Sequence, residues 1–319
     1  MNAAAEQVGI TDLARLDALA GELGIALMHD APLAPYTTLR VGGPADRLAT
    51  PRNREELLAV LRLGRAAAVP TFVIGNGSDL VVADAGIRGL VIRNRANGVA
   101  VEGAELRADS GAPMALLVRR ASAAGLAGLE FGIAIPGSLG GAIWANAGAH
   151  AGEMNDVVSS VEIWDRADGE ARSIPAAACR FAYRESRFKH TPEIILAATL
   201  ALRPDAPSAV ATRVAAHQAQ RLATQPLSDQ NAGSVFRNPI GDHAGRMIDA
   251  AGLKGTRVGG ASVSPLHANF IVTERGASAA DVRALGDRVR AAVAERSGVT
   301  LEYEIEFVGD WPIEPGAHA

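Results

Sequence analysis

The chain contains 319 residues, of which 48% are hydrophobic and 21% charged, and its formal net charge is −4 at pH 7. This composition is typical of a globular protein with room for two or three domains, and it lacks the positive surplus that attracts nucleic acid or anionic lipid. Aromatic residues, at 4%, are too few for a surface that stacks nucleic-acid bases.

The class of protein is restricted further by the cysteine and histidine content and by the amino-terminal segment. Cys179 is the single cysteine, so no disulfide can form within the chain, which fits a reducing cytoplasm. The seven histidines lack the paired spacing of zinc ligands, and we expect no metal. The amino-terminal segment carries acidic side chains and no basic stretch followed by an apolar run, so we expect no signal peptide.

Hydrophobic periodicity predicts alternating helices and strands in the first hundred residues. Helices are predicted over residues 11–23 and 54–68, and strands over residues 36–46, 69–75, 80–83 and 89–92. The segment Gly75-Asn-Gly-Ser-Asp79 joins two strands, whereas a dinucleotide fingerprint requires a helix after the glycines. It is therefore better interpreted as a nest of N–H groups for a pyrophosphate, although a tight hairpin turn explains both glycines about as well.

A glycine-rich stretch over residues 128–154 follows a predicted helix at 112–124. It contains seven glycines, and residues 131–152 include no Asp, Glu, Lys or Arg. Glycine weakens helix and strand interiors, so the pattern favours close approach of bare backbone to a flat, anionic cofactor. A membrane span has the right length, but Pro136, Asn146 and the glycines argue against its helix. A glycine-rich surface loop is the other alternative.

The second half of the chain has two parts joined by a linker at residues 204–207. Strands are predicted at 157–164, 193–203, 269–273 and 301–307, and helices at 208–222, around 247–251 and after a cap at Ser278. The cation-rich segment 181–189 is either a solvated loop or part of a site. Strict alternation in the last strand places Glu302, Glu304 and Glu306 on one face; at most one of them is expected in a site.

Six segments, in chain order, resemble motifs of the UDP-N-acetylenolpyruvoylglucosamine reductase (MurB) family: residues 38–46, 75–80, 135–149, 183–188, 233–239 and 301–304. The resemblance spans residues 34–308. It implies an α+β fold with an FAD-binding module of the para-cresol methylhydroxylase type, made of two α+β subdomains, and a C-terminal α+β substrate-binding domain. The corresponding boundaries are a helical extension at 1–33, the FAD-binding domain at 34–204 (subdomains 34–95 and 96–204), the substrate domain at 205–310 and a tail at 311–319.

The resemblance also implies an activity. Members of this family use non-covalent FAD and NADPH to reduce the enolpyruvyl group of UDP-N-acetylglucosamine enolpyruvate, a step of peptidoglycan precursor synthesis and so of bacterial cell-wall biogenesis. We expect a cytoplasmic monomer without nucleic-acid or membrane partners. The alternative is a sugar or aldonolactone oxidase on the same flavin module, which has no evident need for the motifs around residues 234 and 304. A non-enzymatic flavin-binding protein is a further alternative.

Residue roles follow from the matched motifs. The resemblance implies that Arg184 and Glu304 are catalytic and that Ser234 donates the proton. Negative charge builds on the carboxylate and enolate during the reaction. A preorganised cation and a nearby acid are needed to stabilise it. The implied FAD-binding residues are Tyr36, Thr38, Arg40, Val41, Gly42, Gly43, Gly75, Asn76, Gly77, Ser78, Asp79, Ile135, Pro136, Gly137, Ser138, Gly140, Gly141, Ala142, Asn146, Ala147 and Gly148. Suggested substrate contacts are Tyr183, Asn238 and His267.

Two departures from the family pattern stand out. Position 79 is aspartate, where the family often has asparagine. The chain therefore lacks the amide that the asparagine side chain provides in the family. No insertion follows Leu202 where one class of the family carries a tyrosine-bearing loop. The chain therefore resembles the shorter class.

Overall fold

The computed structural model describes residues 10–312. Within that range, the α-helices are α1 (Ile10–Leu23), α2 (Arg54–Ala67), α3 (Met114–Ala123), α4 (Leu139–Trp144), α5 (Pro207–Thr224), α6 (Ala244–Ala250) and α7 (Ala279–Ser297). Short 3-10 helices lie at Ala34–Tyr36, Glu130–Ala134, Met154–Asp156, Ala176–Cys179 and Arg187–Lys189. No helix in this part of the chain is both long and apolar enough to cross a membrane.

The strands are mostly short. They are β1 (Met28–Pro32), β2 (Pro44–Ala49), β3 (Thr71–Ile74), β4 (Leu80–Val82), β5 (Ile87–Arg93), β6 (Val99–Glu102), β7 (Glu105–Asp109), β8 (Leu126–Ala127), β9 (Gly148–Ala149), β10 (Gly152–Glu153), β11 (Val158–Trp164), β12 (Ala171–Pro175), β13 (Ile194–Ala201), β14 (Arg203–Pro204), β15 (Gln230–Asn231), β16 (Arg257–Val258), β17 (Ala261–Val263), β18 (Ile271–Thr273) and β19 (Glu306–Val308).

The first subdomain is a four-stranded sheet in the order β1-β2-β5-β3. Strands β2, β5 and β3 are parallel, and β1 pairs antiparallel with β2. Helices α1 and α2 cover the sheet: Leu16 of α1 and Leu57 of α2 are fully buried in one core with Leu90 of β5. The extension predicted at 1–33 is therefore not separate in its described part, since α1 and β1 belong to this subdomain.

The second subdomain is an antiparallel sheet in the order β12-β11-β13-β7-β6. Its apolar core includes Leu117 from α3 and Ile143 from α4. Helix α5 also packs here: Arg213 binds Glu130 at 2.8 Å, and Val214 contacts the core. The domain boundary predicted at 204 is therefore too early, because α5 lies on the second subdomain.

The C-terminal unit after α5 is a small sheet, β15-β18-β17-β16, covered by α6 and α7. Helix α7 begins with the expected cap, in which Ser278 accepts a hydrogen bond from the Asp281 backbone at 3.0 Å, and ends at Gly298 with φ +72°. The predicted buried stripe of this helix is confirmed. Strand β19 leaves the unit and pairs in parallel with β4 of the first subdomain.

Three predictions of local structure are wrong. Residues 37–43 form a loop instead of a strand, and strand pairing begins only at β2. The glycine-rich stretch contains α4, because its backbone is held by Ala112 and Ser110: Gly140 N donates to Ser110 O at 2.7 Å. Tertiary packing overrides the low helix propensity of glycine here. The last strand covers only β19, because residues 302–304 bond to the segment around Phe236 as an isolated bridge.

Candidate active site

Three predicted cofactor segments form one surface beyond the carboxyl end of β3. Thr38 N donates to Gly77 O at 3.0 Å, and Asn76 Nδ2 donates to Pro136 O at 3.1 Å. A Cβ atom on Gly75 would lie 2.3 Å from Ser138 Oγ, so these two loops touch. The carboxyl ends of parallel strands are common ligand sites.

The glycines of this surface divide into two groups. A Cβ on Gly77, whose φ is +63°, would lie 2.2 Å from Tyr36 O, and one on Gly43 would lie 2.0 Å from Asp84 O, so these glycines permit close packing of the loops. A Cβ on Gly141 would meet only Ser138 Oγ, at 3.7 Å. Gly141 therefore presents bare backbone to open space at the start of α4. This cradle, which a side chain would fill, fits the diphosphate of FAD.

Other predicted cofactor residues lie behind this surface. A Cβ on Gly140 would lie 2.9 Å from Ser110 Cβ, so this glycine is needed for packing. The side chains of Val41 and Ala142 belong to apolar cores. Asn146 is fully buried, and its Nδ2 donates to Ala182 O at 2.8 Å. Arg40 Nη1 donates to Pro35 O at 2.5 Å, and Ile135 and Ala147 pack against the apolar core of the second subdomain. A Cβ on Gly42 would lie 2.7 Å from Val82 Cβ, and one on Gly148 would lie 2.6 Å from Gly152 O, so both glycines permit close packing.

Arg184 stands at the tip of a tight turn supported by Asn146. Ala182 and Glu185 exchange two backbone hydrogen bonds of 3.0 Å, and Arg184 has φ +54°, a left-handed conformation that side chains rarely adopt. The turn aims the guanidinium at Glu304: Nε donates to Oε1 at 2.7 Å, and Nη2 donates to Gly148 O at 2.8 Å. A guanidinium in a fixed position is suited to bind a carboxylate.

Backbone pairing places the segment that follows Ser234 against Glu304. Glu304 N donates to Val235 O at 2.8 Å, and Phe236 forms a bridge with Tyr303. Ser234, partly buried, immediately precedes this paired segment. The buried amide of Asn269 fixes the segment from the other side, since its Nδ2 donates to Phe236 O at 2.8 Å and its Oδ1 accepts from Phe236 N at 3.0 Å. Arg184 and Glu304 are thus in direct contact, and Ser234 lies one residue before the backbone that bonds to Glu304.

A second ion pair lies beside the first and was not predicted. Lys189 Nζ is 3.1 Å from Glu306 Oε1 and stacks over the Trp144 ring at 4.2 Å from its centroid. The cation-rich segment 181–189 was the available signal, but spacing alone does not tell which of its cations points inward. Burial raises the pKa of Glu304, and Arg184 opposes that rise.

The proposed substrate contacts lie around an open cavity of about 340 Å³. Ser234, Asn238 and His267 line it together with two residues that the sequence reading missed, Arg246 and Lys254. The third suggested contact, Tyr183, lies near the cavity, where its hydroxyl accepts a hydrogen bond from Asn238 N at 3.3 Å. Burial, followed by the charge of Lys254, lowers the pKa of His267.

A further cavity of about 400 Å³ lies at the carboxyl edge of the first sheet. Arg52, Arg93 and Arg95 line it, and the Arg93 guanidinium lies 4.3 Å from the centroid of the Tyr36 ring. These arginines were also missed, although Arg93 is the last residue of β5 and Arg95 lies two residues after it. Over residues 10–312, no group of three or more His, Cys, Asp or Glu side chains could hold a metal ion.

Two family models and several relatives that share one name match this chain. Residues 225–308 match the model of the UDP-N-acetylenolpyruvoylglucosamine reductase C-terminal domain, and residues 45–174 match an FAD binding domain. The UDP-N-acetylenolpyruvoylglucosamine reductase of Moorella thermoacetica is 46% identical over 300 residues, covering 92% of this chain and 99% of the relative. The enzyme of the same name from Levilactobacillus brevis is 41% identical, covering 90% and 95%.

A solved structure agrees with these relatives. The crystal structure of UDP-N-acetylenolpyruvylglucosamine reductase (MurB) from Thermus caldophilus superposes with a TM-score of 0.76 at 38% identity. The match covers 90% of this chain and 99% of the other. The predicted α+β fold, with an FAD-binding module followed by a C-terminal unit, is therefore confirmed.

Proposed function

The chain belongs to the UDP-N-acetylenolpyruvoylglucosamine reductase family, and from that premise we propose that Arg184, Ser234 and Glu304 form its active site. It is an FAD-dependent oxidoreductase that uses NADPH to reduce the enolpyruvyl group of UDP-N-acetylglucosamine enolpyruvate, giving UDP-N-acetylmuramate for peptidoglycan synthesis. One observation carries the assignment of residues: Arg184 of the FAD-binding module contacts Glu304 beside the segment that holds Ser234.

Each residue has a role that its contacts support. When bound, FAD supplies the hydride for one carbon of the enolpyruvyl double bond. Arg184 uses Nε for Glu304 and Nη2 for Gly148 O, so Nη1 is left for the carboxylate of the substrate. A cation there stabilises the negative charge that builds on the carboxylate and enolate during reduction. Glu304 holds the guanidinium in that orientation.

Ser234 completes the reduction by giving its hydroxyl proton to the adjacent carbon. A serine hydroxyl is a weak acid, so the negative charge left on Oγ needs a cation nearby, and Arg184 supplies it. The proton then returns to Oγ from solvent or a neighbouring acid before the next turnover. The product keeps its ether bond to the sugar and gains one hydride and one proton.

The cavity lined by Arg246, Lys254, Asn238 and His267 supports binding of the substrate diphosphate next to Ser234. We propose a monomer as the active form. We also propose a cytoplasmic location in bacteria, where NADPH and nucleotide sugars are available. None of these residues requires a nucleic-acid or membrane partner.

The test measures the two half-reactions separately by stopped-flow absorbance of the flavin. We expect NADPH consumption by the purified protein to depend on UDP-N-acetylglucosamine enolpyruvate. Ser234→Ala should leave reduction of the flavin by NADPH nearly unchanged and slow its reoxidation by the substrate by about 10²–10⁴-fold. Ser228→Ala, at an exposed serine of the same segment, is the matched control. Equal slowing of both half-reactions, or of neither, would exclude Ser234 as the donor.

A further inference from the structure

Asp79 lies where the proposed cofactor surface meets the acidic end of the chain. It is the last residue of the Gly75–Asp79 loop and directly precedes β4. Its carbonyl oxygen accepts a hydrogen bond from Glu306 N at 2.9 Å, as part of the contact between β4 and β19. One residue therefore belongs both to the diphosphate loop and to the neighbourhood of Glu304 and Glu306.

The charges around Asp79 do not balance if every carboxyl group is ionised. Arg184 is paired with Glu304 at 2.7 Å and Lys189 with Glu306 at 3.1 Å. Among the described residues, no cation lies within ion-pair distance of the Asp79 carboxyl group. Arg237, a third cation near Glu304, lies 3.8 Å from Glu185, so the cluster holds four carboxyl groups for three cations. Like charges in a partly dehydrated site make full ionisation costly. Asp79 carries the carboxyl group that lacks a cation of its own.

We propose that Asp79 is held as a neutral carboxylic acid and that in this form it completes the diphosphate-binding loop, joining the FAD site to the Arg184–Glu304 pair. A protonated carboxyl group offers an O–H donor to an anion, whereas a carboxylate only accepts hydrogen bonds and repels it. Asp79 is thus a positioning residue that couples the charge of the catalytic cluster to cofactor affinity. The inference rests on the proposed function in one respect, that residues 75–79 hold FAD.

The electrostatic environment agrees with this geometry. Burial, and then the charges of Glu304 and Glu306, raise the pKa of Asp79 well above its usual value, while Lys189 and Arg184 oppose the rise. Since the neutral form binds FAD, the affinity is fully present below the pKa that Asp79 has in the flavin-free protein. It is lost as pH rises through that pKa, by about tenfold for each further pH unit.

The experiment measures the dissociation constant of FAD by flavin fluorescence over roughly pH 5 to 9, using apoprotein of the full chain. We expect the affinity of the wild-type protein to fall at alkaline pH and that of Asp79→Asn to lose this dependence, because the amide keeps a donor without titrating. Glu302→Gln, at an exposed carboxyl group of the same terminal segment, should retain the wild-type profile. The alkaline limb of enzymatic activity, scaled to each variant's own plateau, should change in parallel.

Glu306→Gln provides a second variant with a directional outcome. Removing one negative charge near Asp79 lowers the pKa of its carboxyl group, so the loss of FAD affinity should begin at lower pH than in the wild-type protein. A pH dependence that survives in Asp79→Asn, or that does not move in Glu306→Gln, would overturn the proposal. Failure to bind FAD at every pH would instead count against the proposed function itself.

Discussion

Arg184→Lys is the substitution in this site that best separates an effect on the rate of catalysis from an effect on the stability of the fold. The guanidinium makes two fixed contacts, to Glu304 at 2.7 Å and to Gly148 O at 2.8 Å, and leaves Nη1 for the substrate. An ammonium group is a point charge without this planar fork. Lysine can therefore keep the attraction to Glu304, but it cannot at the same time bind Gly148 O and direct a donor to the substrate carboxylate.

The expected loss of activity exceeds the expected loss of stability. Removing one donor aimed at developing negative charge typically costs about 10²–10³-fold in kcat, or roughly 3–4 kcal/mol. The Arg184 and Glu304 side chains are 18% and 21% exposed, so solvent screens their pairing. Because the charge is retained, we expect the unfolding free energy to fall by only about 1 kcal/mol, which lowers the Tm by about 2–4 °C in a protein of this size.

Stopped-flow absorbance and thermal unfolding of the same preparation test this reasoning. Flavin reduction by NADPH should stay close to the wild-type rate, while reoxidation by the enolpyruvyl substrate should slow by the factor given above. Glu302→Gln serves as a control for a general change in charge near the site. If Arg184→Lys slows both half-reactions equally, or if reoxidation proceeds at the wild-type rate, the proposed role of the guanidinium is wrong.

Three further outcomes are expected. Glu304→Gln should lower the rate of reoxidation by at least about tenfold, whereas Glu302→Gln should change it little, and similar losses in both would indicate a merely solvated strand. Gly141→Val should fold but retain little FAD, whereas Gly140→Val should fail to fold because its side chain collides with Ser110; circular dichroism and the flavin absorbance distinguish them. Acid precipitation should release the flavin into the supernatant, and a coloured pellet would indicate a covalent link.

Much of the fold could be predicted from local patterns, because helix caps and hydrophobic periodicity depend on residues close together in sequence. The capping box of α7, its buried stripe and its terminal Gly298 are all set by residues close together in sequence. The limits of α2 and β13 follow from hydrophobic periodicity in the same way. The predictions were wrong where the local structure depends on contacts with residues distant in sequence. Helix α4 forms on the backbone of Ser110, and residues 301–305 are shaped by the segment around Phe236.

In the candidate site, too, some residues could be predicted from local motifs, whereas others depend on contacts between distant segments. Motifs singled out Arg184, Ser234 and Glu304; the structure pairs Arg184 with Glu304 and places Ser234 one residue before the segment that bonds to Glu304. They did not identify Lys189, because its pairing with Glu306 depends on how the C-terminal strand returns to β4. Nor did they separate Gly140 from Gly141: the two are neighbours in sequence, and only the position of Ser110 shows which one faces the protein and which one faces the cleft.

The parallel pair of β4 and β19 also bears on the order of events during synthesis. Strand β4 and the loop before it leave the ribosome long before β19 does. Until then, Asp79 O lacks the hydrogen bond from Glu306 N, and Arg184 lacks Glu304. Contacts between such distant segments require closing a very long loop and form slowly. The nascent protein therefore acquires its complete cofactor surface only after β19 has emerged.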